Sequence, residues 1–216
     1  MSGDQVVITD VRYTLEGTQF VLEIGGEEHV VSLPVFGGHA EGEVLAHVQR
    51  ELAAGAAPAR ALETLTVQDI PHHRRRREST SGAIIIDDTS SQRLDEMRGA
   101  LQLLAQLGRL GRQTIVVLGG LQLDPPPEPD ARDELGLLLV RLDIAQLVAI
   151  GPELRRLHLS AGREGSWNGE SVHVDDPAQA YDFLSASMEG ESVILVCGGS
   201  NPALDDLVTT LCEAPA

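Results

Sequence analysis

The sequence predicts an α/β protein: a Rossmann-like, mostly parallel sheet with flanking helices, preceded by a small α+β subdomain. Three observations carry that expectation. From Gly82 onward, short apolar runs rich in β-branched residues alternate with stretches of helical period, as in strand–helix crossovers of a parallel sheet. The runs themselves, such as Ala83 to Ile86, are continuous, as in strands buried on both faces. Residues 6 to 33 instead alternate polar and apolar side chains, the pattern of a half-buried antiparallel meander.

In chain order, strands are expected at Val6–Tyr13, Thr18–Ile24 and Glu28–Leu33, with Glu16-Gly17 and Gly25-Gly26 as turns between them. Pro34 to Gly38 reads as a loop. Val44, Leu45, Val48 and Leu52 then recur at helical spacing, so Glu41–Ala54 is a helix, and Pro58 suits the first turn of a second one reaching Leu65. Residues 66–81 read as an Arg-rich linker. Beyond it, strands Ala83–Asp88, Gln113–Leu118, Gln146–Ile150, Ser171–Val174 and Val193–Cys197 alternate with helices. The helices are Gln92–Leu107, Asp130–Leu142, Pro152–Ser160, Pro177–Met188 and Pro202–Cys212. Thr89, Ser90 and Ser91 are candidate N-caps for the first of these, Asp130 for the second, and Asp175-Asp176 for the helix at Pro177. The expected division is therefore 1–65, 66–81 and 82–216.

Composition narrows the function. A formal charge of −17 disfavours nucleic acid and anionic membranes as partners. No run of residues is long and apolar enough to span a bilayer, and no secretory leader is visible, so a cytoplasmic protein is expected. Cys197 and Cys212 read as buried free thiols rather than a disulfide framework. All sixteen basic residues are arginine. Chemistry that needs an ammonium group, such as a P-loop lysine or a Schiff base, is therefore closed to this chain. No Gly-x-Ser-x-Gly, Cys-x-x-Cys or His-Glu-x-x-His motif points to a hydrolase, a redox enzyme or a metalloprotease.

The pivotal stretch is Gly82 to Leu101, where Ile86-Asp87-Asp88 closes a strand and Met97-Arg98-x-Ala100-Leu101 follows a short polar turn. Together with Val116-Leu118-Gly119, Glu134-Leu135-Gly136, Val148 to Gly151 and Val193 to Gly198, it resembles the C-terminal domain of Mur ligases. Within that family it is most like the branch that adds D-alanyl-D-alanine to the muramyl tripeptide. Leu33-Pro34 and Gly38-His39 resemble the end of the family's central domain. The resemblance covers nearly the whole chain and implies that it corresponds to the last part of a ligase.

In such ligases ATP is held by the central domain while the C-terminal domain closes over it. By resemblance, Asp88 matches the aspartate that contacts the ribose, His39 survives from the adenine-side motif, and Arg74 is the nearest candidate for the arginine before the first C-terminal strand. The other positions differ. The family's Tyr-Asn-Ala-Asn-Pro is Ser90-Ser91-Gln92-Arg93-Leu94 here, its adenine-contacting asparagines fall at Ala40 and Glu43, and its Gly-Asp is Gly119-Gly120. Its Lys-Gly-Ser-Arg is Cys197-Gly198-Gly199-Ser200. Neither a phosphate-cradling loop with lysine nor a UDP-sugar domain can be recognised. Amide ligation through an acyl phosphate needs nucleotide, metal and a cation on the transferred phosphoryl group in one site. ATP and Mg2+ are therefore cofactors only if residual ligase function is retained.

Other constellations carry two readings each. Gly198-Gly199-Ser200-Asn201 is either an anion-binding turn, through its backbone amides, or a plain strand-to-helix turn. Asp87 and Asp88 either hold a divalent cation or cap the following turn. His72-His73-Arg74-Arg75-Arg76-Arg77 is either an anion site or a solvated charge run pairing with the protein's own acids. His158 and His173 have no partner visible in sequence, and Trp167 is either an exposed contact residue or a sheet-edge cover. Three functions fit. The first is a non-catalytic scaffold docked on a Mur-type ligase or on itself. The second is one subunit of a split ATP-dependent amide ligase using Asp88 and His39. The third is a small-ligand or nucleotide sensor at the strand-end crevice near Asp88, Gly119 and Gly198.

Overall fold

The computed structural model describes residues 6–37, 39–66, 74–123, 131–163, 170–199 and 202–213, and divides into two compact units, 1–76 and 77–216. In the first unit, β1 (Val6–Thr14), β2 (Gly17–Ile24) and β3 (Glu27–Leu33) form the antiparallel meander. The two-residue turn Gly25-Gly26 has φ of +61° and +88°. A tight hairpin turn demands positive φ at both central residues, and glycine supplies it without a Cβ clash. Alternation turns Phe20, Leu22, Ile24 and Leu33 inward, where Val44 and Val48 of α1 (His39–Ala53) and Ala61 of α2 (Pro58–Glu63) complete the core. Buried His47 ties the two helices through Thr64 Oγ1 at 3.2 Å. Thr18 Oγ1 donates to the Val35 carbonyl at 2.6 Å, anchoring the short β4 (Val35–Phe36) to the meander.

The Arg-rich stretch is not a linker. Arg74–Glu78 form β5, with Arg74 opposite Phe36 and Arg75 opposite Val35 in an antiparallel ladder. A charge run can occupy a strand because arginine stems lie along apolar surface while the guanidiniums reach partners. Arg76 Nε donates to the Leu15 carbonyl at 2.8 Å, and Arg77 Nε donates to Asp87 Oδ2 at 3.1 Å. His72 and His73 lie outside the described residues.

The second unit is the parallel sheet. β6 (Ile84–Asp88), β7 (Gln113–Leu118), β8 (Gln146–Ile150), β9 (Glu170–Val174) and β10 (Ser192–Cys197) lie in the order β6-β10-β7-β8-β9, every neighbouring pair parallel. The last strand is thus inserted between the first two. Ile85, Ile115, Val117, Val148, Ile150, Ile194 and Val196 share one face with α6 (Pro177–Ser187) and α7 (Pro202–Glu213). The intervening residues, among them Ile86, Val116, Leu147 and Leu195, are also fully buried. They turn to the opposite face, where α3 (Leu94–Gly108) packs on β7 and β10. Burial on both faces explains the unbroken apolar runs.

Between α4 (Ala131–Arg141) and α5 (Arg155–Ala161) the helices touch. A Cβ on Gly136 would stand 2.8 Å from the Leu157 carbonyl oxygen. Asp133 of α4 accepts from the Arg156 guanidinium and from Ser160 Oγ, and the Arg156 contact holds its carboxyl below the usual carboxylate range. The expected helix from Pro152 begins as a 3-10 turn over Pro152–Leu154. Asp176 caps α6 as expected, accepting from the Gln179 amide at 2.9 Å. Asp130, Trp167, Ser200 and Asn201 lie outside the described residues. Among the described residues no helix is long and apolar enough to cross a membrane.

Candidate functional site

Open α/β sheets take ligands at the carboxyl ends of their strands, where the strand order reverses. Here that place is β10 flanked by β6 and β7, with Asp88 and Cys197 in register and Cys197 opposite Leu118. Three loops leave these strand ends, and their backbones are hydrogen-bonded to one another. The Ser91 carbonyl accepts from both the Gly198 amide at 2.8 Å and the Gly199 amide at 3.1 Å. The Gly119 amide donates to the Cys197 carbonyl at 2.9 Å, and the Gln122 amide donates to the Gln92 carbonyl at 2.7 Å.

The glycines are what permit this closeness. A Cβ on Gly198, which has φ of +116°, would lie 2.4 Å from the Gly120 nitrogen and 2.6 Å from the Gly119 nitrogen. On Gly199 it would lie 2.8 Å from the Ser90 carbonyl oxygen, and on Gly119 it would run into the side chain of Leu204. The described parts of the loops after β6, β7 and β10 therefore pack backbone to backbone at the sheet end. The Gly198 and Gly199 amides, offered by the sequence as anion donors, are already engaged.

Asp88 is buried at 4% exposure and accepts from Ser91 Oγ at 2.7 Å, while its carbonyl accepts from the Ser91 amide at 2.9 Å. It works as a clamp on the turn after β6. Asp87 accepts from Thr89 Oγ1 at 3.0 Å and from Arg77. Adjacent strand residues point to opposite faces, so the two carboxylates do not converge on one cation. Among the described residues, no group of three or more potential metal ligands comes together. The expected Thr89–Ser91 caps for α3 are corrected in the same way. Thr89 and Ser91 serve the aspartates, and α3 begins later, where Glu96 accepts from the Gln92 and Arg93 amides at 3.2 and 3.1 Å. Glu96, at the third helical position, reaches back to amides at and before the N-cap, the glutamate half of a capping box.

Arg74 and His39 belong to the first unit. The Arg74 guanidinium lies beside Gly37, where an added Cβ would come within 3.1 Å of Nη1, and His39 opens α1 two residues later. Arg74 and Glu41 both act on Tyr13, whose phenol is pushed up first by burial and then by Glu41, with Arg74 opposing.

His158 and His173 do have partners, and each other. Their ring centroids are 5.8 Å apart, His158 Nδ1 bonds Ser171 Oγ, and His173 Nε2 donates to the Gly151 carbonyl at 2.9 Å. Burial, then His173 and Arg155, push the His158 imidazole below its usual value. No periodicity could have paired residues from α5 and β9 before the strand order was known. Cys197 is fully buried, and Cys212 is partly buried, its thiol pushed up by burial.

No protein-family model matches the chain. It is 33% identical over 130 residues to the UDP-N-acetylmuramoyl-tripeptide--D-alanyl-D-alanine ligase of Mycobacterium leprae (strain TN), a match covering 54% of this chain and 25% of that protein. In fold it is similar to MurF from Acinetobacter baumannii, with a TM-score of 0.68 at 21% identity, covering 99% of this chain and 46% of that one. The MurF ligase of Thermotoga maritima in complex with ADP gives 0.64 at 16%, covering 98% and 47%. Folylpolyglutamate synthase from Thermotoga maritima gives 0.59 at 13%, covering 98% and 47%. The match thus takes in a quarter of the curated relative, and just under half of each of these solved structures.

Proposed function

For a chain that is Mur ligase-like throughout its fold and, over 130 residues, in its sequence, we propose a non-catalytic binding role. It would be a diverged relative that docks on a Mur-type ligase, or on another assembly forming amide bonds in cell-wall peptide synthesis. One observation carries this reading: the loops at the strand ends spend their polar groups on one another, with Ser91 accepting from the Gly198 and Gly199 amides and with Asp88 clamped to Ser91. A fold persists through packing, whereas a site depends on a few side chains, so the first outlasts the second. The buried core runs through β6, β10, β7 and β8 and reaches β9 at Val174. Meanwhile the positions that resemble the family's lysine and arginine near the last strand hold Cys197 and Ser200.

Sedimentation velocity of the purified chain tests the reading. It is run alone and mixed with a full-length D-alanyl-D-alanine-adding ligase, with ATP turnover measured beside it. A complex, with no turnover by the chain alone, is expected. A chain that stays monomeric in both samples, or that turns over ATP unaided while joining an amine to a carboxylate, overturns it.

A second reading is favoured by the retention of Asp88 at a strand end. Here the chain is the closing subunit of a split ligase whose phosphate loop lies on another polypeptide. Reconstituted turnover that falls with Asp88→Asn supports this alternative, and turnover indifferent to that change removes Asp88 from the chemistry.

A further inference from the structure

We propose that the amino-terminal end of the parallel sheet carries an anion site built from Arg109, Arg112 and Arg141. A cavity of about 390 Å3 opens there, walled by the end of α3 at Gly108 and Arg109, by Arg112 and Thr114 leading into β7, and by Arg141 and Asp143 after α4. That volume is in the lower range for small-molecule pockets. It lies at the opposite end of the strands from Asp88 and Gly198.

The arginines are the unusual feature. The protein has 33 acidic residues against 16 arginines, so a guanidinium has carboxylates to spare. Arg12, Arg60, Arg76, Arg77, Arg93, Arg98 and Arg156 each take one. Among the described residues, no side-chain hydrogen bond or ion pair engages Arg109, Arg112 or Arg141, although Asp143 lines the same cavity. Three guanidiniums without an ion-pair partner around one hollow suit a multiply charged anion, which each can take through bidentate hydrogen bonds. Thr114 Oγ1 accepts from the Ala145 amide at 3.0 Å, which leaves its hydroxyl proton to donate into the cavity. Asp143 subtracts one charge, so the site favours compact ligands with at least two negative charges: a small phosphorylated or polycarboxylate metabolite. The competing role is purely structural, with Arg109 and Arg141 offsetting the negative ends of α3 and α4.

Calorimetry of the full chain at low salt and without metal separates the two roles, using pyrophosphate in one arm and citrate in the other. Saturable binding of at least one is expected, and the tighter arm tells phosphoryl from carboxylate chemistry. Each of Arg112→Gln and Arg141→Gln should weaken binding about tenfold, the worth of one charge-assisted bond. Arg60→Gln, on an exposed helix of the first unit, should leave it unchanged. Circular dichroism confirms folding, and if one cavity variant fails to fold the other decides. The proposal is overturned if neither anion binds, if Arg60→Gln weakens binding as much as the cavity variants, or if the cavity variants lower the melting temperature without changing affinity. Its failure would leave the docking role untouched, since the two rest on opposite ends of the sheet.

Discussion

Replacing Gly198 with alanine perturbs the sheet end where backbone packs closest on backbone. The new methyl would meet two backbone nitrogens, at 2.4 and 2.6 Å, neither of which can swing away as a side-chain tip does. The φ of +116° adds strain of about 1–3 kcal/mol for any residue with a Cβ. Forcing packed backbone apart adds a further ~1–3 kcal/mol. If the turn opens, the two bonds to Ser91 go with it, at about 1 kcal/mol each. Strain and clash alone give an expected loss of roughly 2–6 kcal/mol, against a total stability of about 5–15 kcal/mol for a domain. Gly111→Ala is the control, because Gly111 has φ of +85° but open space around it. It should lose only the strain, about 1–2 kcal/mol. Urea unfolding followed by circular dichroism measures both. Equal losses in the two variants would refute the reasoning, because the contacts between loops would then contribute nothing.

Other outcomes follow from the same geometry. Gly136→Ala should destabilise by about 1–3 kcal/mol in the same assay, since its Cβ would press on the Leu157 carbonyl of the neighbouring helix. His158 is held below its usual value in the folded state, so the folded protein binds fewer protons than the unfolded one. The stability this group contributes is complete above the unfolded value of 6.5 and is lost as pH falls through the depressed folded value. Urea midpoints measured downward from pH 7.5 should decline, and His158→Gln should flatten that part of the decline. Towards a thiol reagent, native Cys197 should be inert and Cys212 slow, with both released in urea. Fast labelling of Cys197 in the native state would contradict its burial.

The parallel sheet was readable because strands buried on both faces leave unbroken apolar runs, and four of them, in β6, β7, β8 and β10, recur between helical periods. Gln113–Leu118 and Gln146–Ile150 fall where expected. The Gly25-Gly26 turn was readable because Gly-Gly is among the few pairs that suit two successive positive φ values. β5 was not, since composition alone marks four arginines as solvated, and only the ladder to Val35 and Phe36 makes them a strand. The start of α3 was missed because the hydroxyls nearest the helix are drawn to Asp87 and Asp88, leaving the cap to Glu96. The site was the least legible part. Asp88 and the glycine turn are visible as residues, but their engagement with Ser91 depends on β10 inserting between β6 and β7. Arg109 and Arg112 drew no notice in sequence because two arginines three residues apart are commonplace, and Arg141 lies too far along the chain to look like part of their cluster. An arginine excess left over at one sheet end appears only after the ion pairs are assigned.

The claim that the strand-end crevice no longer serves a nucleotide meets its most direct test in calorimetry with ATP and Mg2+ on the wild-type chain and on Asp88→Asn. The account predicts superimposable isotherms, whatever weak anion binding the arginine cavity contributes to both. Saturable, Mg2+-dependent ATP binding that disappears when Asp88 is changed would contradict it.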